Sequence, residues 1–391
     1  MDAILAIDVG TSSVRGVLFD LYGEKRAYHS YSYGPRFYAD GRVRQHTDTW
    51  KLGLFEVARG IARSVEETGL KPLCVSITSQ RASVIPVDRF GSPLLEAVMW
   101  QDKSTAKQCA FIEQTIGARE LYRKTGLRID SYFSAPKILW IKDHEPEVYL
   151  RCTRLLGVQD YVVYLMTGKY VTDHSQASRT LLFDIGGLKW DADVLKALGV
   201  EGEKLLQAVP SGTTVGVISK RFSEQTGFPE GVPVILAGGD QQVAAVGLGV
   251  LEPGYAAANT GTGTFLTTPI DRLRFHPEMR TLCSVAAVPG QWIAEAGMLT
   301  TGSLYDWFVR EVGPITDDAR EANRQKSMSV GLDRVNALAS QSPAGANGVL
   351  VLPHFAGAAA PFWNADARGM FVNLDLSTTR GDMARAVLES I

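Results

Sequence analysis

An acid, a glycine and a run of small hydroxyls stand near the start of this chain: Asp8, Gly10, Thr11, Ser12 and Ser13, followed by Arg15. Apolar runs at 4–7 and 14–19 flank them, so they read as the tip of a β-hairpin. A carboxylate, hydroxyls and backbone N–H groups at one tip are the parts that hold a metal-bound phosphate. The same residues also suit an ordinary hairpin with a polar turn. A second strand, Gly/Thr turn and strand follow much later, with Thr260-Gly261-Thr262-Gly263-Thr264 as the turn. Between the two lies Gly238-Gly239-Asp240-Gln241-Gln242, after an apolar strand at 233–236. Two glycines let a substrate come close. A carboxylate there can accept a proton from a hydroxyl that attacks a phosphoryl group. Asp at a strand-to-helix junction is equally an ordinary helix N-cap.

Other polar groups fall after strands. Gln80-Arg81 follows an apolar strand at 73–77 and offers donors to hydroxyls. Trp100-Gln101-Asp102 places an aromatic wall beside polar groups, a combination that suits sugars as well as a packed Trp and a structural salt bridge. Tyr132 and Phe133 precede a helical pattern and also suit a core. Several chemistries are disfavoured: there is no Walker loop, no GxGxxG between strand and helix, no HExxH and no GxSxG elbow.

The elements that must position these groups alternate. Short strands at 4–7, 14–19 and 27–33 form an antiparallel meander. Helical spacing follows at 50–67, then strands at 73–77 and 83–87, then helical patterns at 106–116, 136–142 and 158–167. This alternation predicts an α/β architecture with partly parallel sheets. The break at 249–254 and the recurrence of a Gly/Thr hairpin predict two domains, 1–245 and 246–391, related by duplication. Facing hairpins would clamp phosphates across the cleft between them. A last helix, capped by Thr378 or Thr379, carries Met383, Ala386, Val387 and Ile391 on one face; its lack of a terminator predicts a shortened chain.

Composition sets the class. The chain has 391 residues, 45% hydrophobic and 21% charged, with a formal net charge of −2. That near-neutral balance argues against a nucleic-acid or anionic-membrane surface. The four scattered cysteines suggest a reducing compartment. With no secretory leader pattern and no membrane-length apolar run, a cytoplasmic location is expected.

In order and spacing these segments resemble the FGGY family of carbohydrate kinases along essentially the whole chain. Asp8-Val9-Gly10-Thr11 with Arg15 is similar to the family's first phosphate motif, and Asn259-Thr260-Gly261-Thr262-Gly263 to its second. Ser79-Gln80-Arg81, Trp100-Gln101-Asp102 and Tyr132-Phe133-Ser134 resemble sugar-site segments, nearest those of glycerol kinase. Thr172-Asp173 and Ala177-Ser178-Arg179-Thr180 follow a mid-domain pattern, and Gly239-Asp240-Gln241-Gln242 the segment with the catalytic base.

The resemblance implies an actin-like fold of the ribonuclease H and hexokinase type. It also implies phosphoryl transfer from ATP, with Mg2+, to a sugar or polyol. It would make Asp240 the base and place the metal at Asp8 and Asp240. The phosphates would meet Asp8, Gly10, Thr11, Ser12, Ser13, Arg15, Thr260, Gly261, Thr262, Gly263 and Gly302. The polyol would lie against Gln80, Arg81, Trp100, Asp102, Tyr132, Gln241 and Phe265. A homodimer is left open.

Three departures stand out. Ala82 replaces a family Glu that grips glycerol, which favours a longer substrate. Ser104 replaces a common Arg. The family's adenine-binding segment lies beyond residue 391. That last departure leaves a non-catalytic, sugar-binding or regulatory relative as the alternative. A chaperone-like or filament-type ATPase of the same fold fits less well, because it would need no polyol pocket.

Overall fold

The computed structural model describes residues 1–312, 324–364 and 366–391. Its central sheet contains β1 (Asp2–Val9), β2 (Ser13–Asp20) and β3 (Lys25–Ser32), the expected antiparallel meander. In β1 the residues Ala3, Leu5, Ile7 and Val9 are buried, so the period of two turns Asp8 to the opposite face. Helix α1 (Asp48–Thr68) buries Trp50, Leu54, Val57, Ala58 and Ile61, spaced three and four apart, and ends at Gly69 with φ of 65°. It lies close on β2: a Cβ at Gly16 would stand 2.5 Å from Val57 Cγ1. Fully burying an aliphatic side chain such as Leu54 or Ile61 contributes about 1.5–3 kcal/mol.

Strand β4 (Lys71–Ser79) runs parallel to β1. Helix α2 (Ser134–His144) starts two residues before the predicted helical pattern, and the short helix α3 (His174–Ala177) is capped by Asp173. Strand β5 (Thr214–Val217) and strand β6 (Pro233–Gly239) complete the sheet in the order β5-β6-β4-β1-β2-β3. The predicted strand at 83–87 shrinks to Ile85–Val87 and pairs outside this sheet, with Arg154–Leu156.

β1, β4 and β6 are parallel neighbours in register. Asp8 pairs with Thr78 and Val9 with Ser79, while Gly238 pairs with Thr78 and Gly239 with Ser79. Three chain segments therefore leave the sheet side by side at its carboxyl edge: Gly10 onward, Gln80-Arg81, and Asp240. Carboxyl edges of parallel strands are where open α/β sheets place ligands.

The chain divides into two compact units. The first holds 1–255, 268–275 and 282–294; the second holds 256–267, 276–281 and 295–391. Segment 282–294 returns to the first unit through specific bonds. Cys283 N donates to Gly126 O at 2.9 Å, and Trp292 Nε1 to Ile185 O at 2.8 Å. The second unit contains β7 (Ala257–Thr260), the first residues of β8 (Thr264–Ile270), α5 (Gly302–Glu311), α6 (Arg324–Ser340) and α7 (Arg380–Ser390). Its core joins Leu304, Phe308, Val335, Ala384 and Val387. Thr379 caps α7 in a box with Asp382.

Candidate active site

The first turn is held from inside. Gly10 N donates to Ser13 O at 2.9 Å, Tyr33 N to Ser12 O at 2.9 Å, and the Tyr33 hydroxyl to Gly10 O at 2.9 Å. Asp8 faces Arg15 across the hairpin at 3.8 Å. Burial, and then the negative charge of Asp240, raise the Asp8 pKa above the usual carboxylate value, with Arg15 opposing. Asp8 and Asp240 are thus electrostatic neighbours although the chain separates them widely.

Asp240 is the first residue of helix α4 (Asp240–Gly247), not its cap; the N-cap is Gly239. The Asp240 carboxylate stands 3.4 Å from Arg81 Nε and accepts Gln241 N at 2.8 Å. Arg81 is buried and also donates from Nη1 to Gln242 Oε1 at 3.1 Å. The guanidinium reaches this place because Gly239 has no side chain: a Cβ there would meet Arg81 Cδ at 2.7 Å.

The aromatic wall is connected to the first turn. Trp100 Nε1 donates to Thr11 Oγ1 at 2.9 Å, and that hydroxyl donates to Gln80 Oε1 at 3.2 Å. The Thr11 and Gln80 side chains, expected at phosphate and substrate, thus also hold Trp100. Tyr132 packs on Trp100 with ring centroids 5.3 Å apart.

Asp102 departs from its expected place at the substrate. It is buried and accepts from Val43 N, Arg44 Nη1, Ser104 N and the Ser104 hydroxyl. Those bonds occupy both oxygens, so Asp102 is a structural partner of Arg44. Ser104, where the family commonly has Arg, is one of its donors.

The remaining expected residues lie in the second unit. Gly261 N donates to Gly263 O at 2.8 Å, and the Thr260 and Thr264 hydroxyls pair at 3.0 Å. The start of α5 is spent on this turn. Gly302 N donates to Gly261 O at 2.9 Å and Ser303 N to Thr262 O at 3.2 Å. A Cβ at Gly302 would lie 2.4 Å from Gly261 O, so this glycine lets the helix reach the turn. Phe265 packs over Gly297, where a Cβ would meet Phe265 Cδ1 at 3.2 Å.

Some positioning residues had no role at the sequence level. Buried Asp173 accepts from Ser175 N and Gln176 N, from Gln159 Nε2 and from the Ser175 and Ser211 hydroxyls. Ser175 Oγ in turn receives Gly239 N at 2.8 Å, and Gln176 Nε2 donates to Ser79 O at 3.2 Å. The end of β6, directly before Asp240, is thereby fixed to α3. The only local signal was an Asp before His174-Ser175, which is a cap pattern.

Residues 3–247 match the N-terminal domain, and residues 256–391 the C-terminal domain, of the FGGY family of carbohydrate kinases. The chain belongs to that family. Among curated proteins, a glycerol kinase of Janthinobacterium sp. (strain Marseille) is 32% identical over 99% of this chain and 76% of its own length. Glycerol kinase 2 of Thermotoga maritima is 31% identical over 100% of this chain and 77% of its own length. Among solved structures, a ligand-bound xylulose kinase from Lactobacillus acidophilus superposes with a TM-score of 0.88 at 25% identity, covering 100% of this chain and 76% of that one. Plasmodium falciparum glycerol kinase with ADP has the same fold, with a TM-score of 0.84 at 22% identity over 100% of this chain and 76% of that one. The expected two-domain, actin-like α/β fold and a carbohydrate kinase activity follow from this membership.

No described helix is long and apolar enough to cross a membrane. Among the described residues no group of three or more His, Cys, Asp or Glu could hold a metal. The Asp8–Asp240 pair fits a different need. Mg2+ is usually bound by one or two carboxylates, with waters and substrate phosphates completing its shell.

Proposed function

We propose that this FGGY kinase transfers the terminal phosphoryl group of ATP to a hydroxyl of a sugar or polyol longer than glycerol. The observation that carries the reading is the row of strand ends that sets Asp8, Gln80-Arg81 and Asp240 side by side. Asp240 takes the proton of the attacking hydroxyl as its oxygen bonds to phosphorus and ADP leaves. Arg81, Trp100, Tyr132 and Gln241 hold the sugar. The turns at 8–15 and 260–264 receive phosphates through backbone N–H groups and hydroxyls. Mg2+, held through Asp8 and Asp240, would neutralise charge on the transferring group. Such reactions are accelerated chiefly by positioning and charge stabilisation.

Coupled ADP release with glycerol, D-xylulose and D-gluconate tests the reading. Sugar-dependent turnover on D-xylulose or D-gluconate, exceeding that on glycerol, is expected; sugar-independent hydrolysis, no turnover on any, or turnover on glycerol alone counts against it.

Substrate length depends on Ala82. It is 6% exposed, has φ of 65° and directly follows Arg81 in the chain. Ala82→Glu should add an acceptor for short polyols next to Arg81. We expect the ratio of kcat/KM for glycerol over D-xylulose to rise by about tenfold or more. An unchanged ratio in a folded variant would remove Ala82 from the specificity argument.

A further inference from the structure

Lys137 is completely buried within α2, yet none of the roles above uses it. Its Nζ donates to three consecutive carbonyls: Ser131 O at 2.6 Å, Tyr132 O at 2.6 Å and Phe133 O at 2.8 Å. In its protonated form this amine carries three donors, and here each has an acceptor, while burial lowers its pKa to about 7. The carbonyls belong to the loop entering α2, which presents Tyr132 to Trp100. On its other side the loop is tied by Asp130, whose Oδ1 accepts Tyr132 N at 2.8 Å. Phe133, next in the chain, is buried with its ring 5.0 Å from the Arg179 guanidinium. Three inward carbonyls without a donor would each carry a desolvation penalty, and the loop would turn to relieve it.

We propose that the Lys137 ammonium is a positioning residue for the sugar wall: by gathering the 131–133 carbonyls it sets where the Tyr132 ring stands against Trp100. This rests on the reading of Tyr132 as a sugar contact. The consequence is separable from general stability. Loss of the ammonium should weaken sugar binding through Tyr132 and leave the nucleotide side, built from other strands, unaffected.

The test is a double-mutant cycle of Lys137→Met and Tyr132→Ala in the full chain. Sugar KM and ATP KM would be measured for whichever of glycerol, D-xylulose and D-gluconate is turned over. Amide exchange of residues 130–135 would be followed alongside. Lys137→Met should raise sugar KM by about tenfold or more, a size typical of a misplaced contact. ATP KM should change by less than about twofold, and loop exchange should quicken. In the Tyr132→Ala background the same substitution should add little, because coupled residues are not additive.

Equal rises in both KM values, or full additivity, would overturn the proposal by reducing Lys137 to a stability residue. If Lys137→Met does not fold, Asp130→Ala loosens the same loop from its exposed side. A sugar KM unchanged in that variant would equally overturn it. If no sugar is turned over, the functional reading fails by itself. The exchange measurement still decides whether Lys137 orders the loop, and unchanged protection in Lys137→Met would reject that.

Discussion

Asp240→Asn should lower kcat by about 10²–10⁴-fold, the usual contribution of a positioned general base. The substitution keeps shape and size but removes the proton acceptor. Its effect should therefore fall on kcat, with sugar KM changed little, as for an interaction made only in the transition state. The structure limits collateral damage. Gly239, not Asp240, caps α4, and Arg81 keeps its bond to Gln242. Steady-state kinetics with a thermal melt checks the result. A loss smaller than about tenfold would remove Asp240 from the role of base.

Asp8→Asn should have an unusual combination of effects: activity falls while stability holds or improves. Phosphoryl transfer should drop by about 10²–10³-fold as charge stabilisation at the phosphates weakens. The stability effect follows from the direction of the pKa shift. The Asp8 pKa is raised in the native state, by burial first and by Asp240 second. The folded protein then binds the proton more readily than the unfolded chain. This group's contribution is favourable at low pH and is lost as pH rises from the unfolded value through the raised native one. At neutral pH the ionised carboxylate is a net cost, which Asn removes. Melting at pH 7 without Mg2+ should give a Tm no lower than that of the parent. A clear fall in Tm would show that the Arg15 pairing outweighs burial and the Asp240 charge. The wild type should also gain Tm on adding Mg2+, and Asp8→Asn should gain less.

How far the fold could be read in advance depended on how local each signal is. The first hairpin was legible because alternation and turn chemistry lie within about twenty residues, the range in which strand patterns speak. Helix α1 was legible for the same reason, its apolar spacing running through the whole element. The return of 282–294 to the first unit was not legible: it depends on Gly126 and Ile185 accepting bonds from distant donors, and no periodicity encodes that. Trp100-Gln101-Asp102 shows a second limit. The Asp is the kind of residue that binds hydroxyls, and only its distant partner Arg44 reveals that it is occupied. Lys137 was hidden inside a helical pattern, where a lysine ordinarily marks the solvent face. Asp173 stood only within the Thr172-Asp173 pattern shared with the family; its task of anchoring Ser175 beneath Gly239, which bears directly on Asp240, rests on the Ser175 hydroxyl and a distant strand end.

The parallel register of β1, β4 and β6 also bears on how the protein becomes active. Segments bonded at the site lie 70 and 160 positions apart in the chain, as Gln80 with Gly10 and Thr78 with Gly238 illustrate. The hairpin at 8–15 can form by itself in microseconds, but pairings this remote must first overcome the entropy of closing long loops. Each group we propose as catalytic arrives on a different segment, so a chain with its helices and meander already built has not yet brought them together. Phosphorylating ability is therefore a late acquisition in folding, reached only when the third strand end has docked.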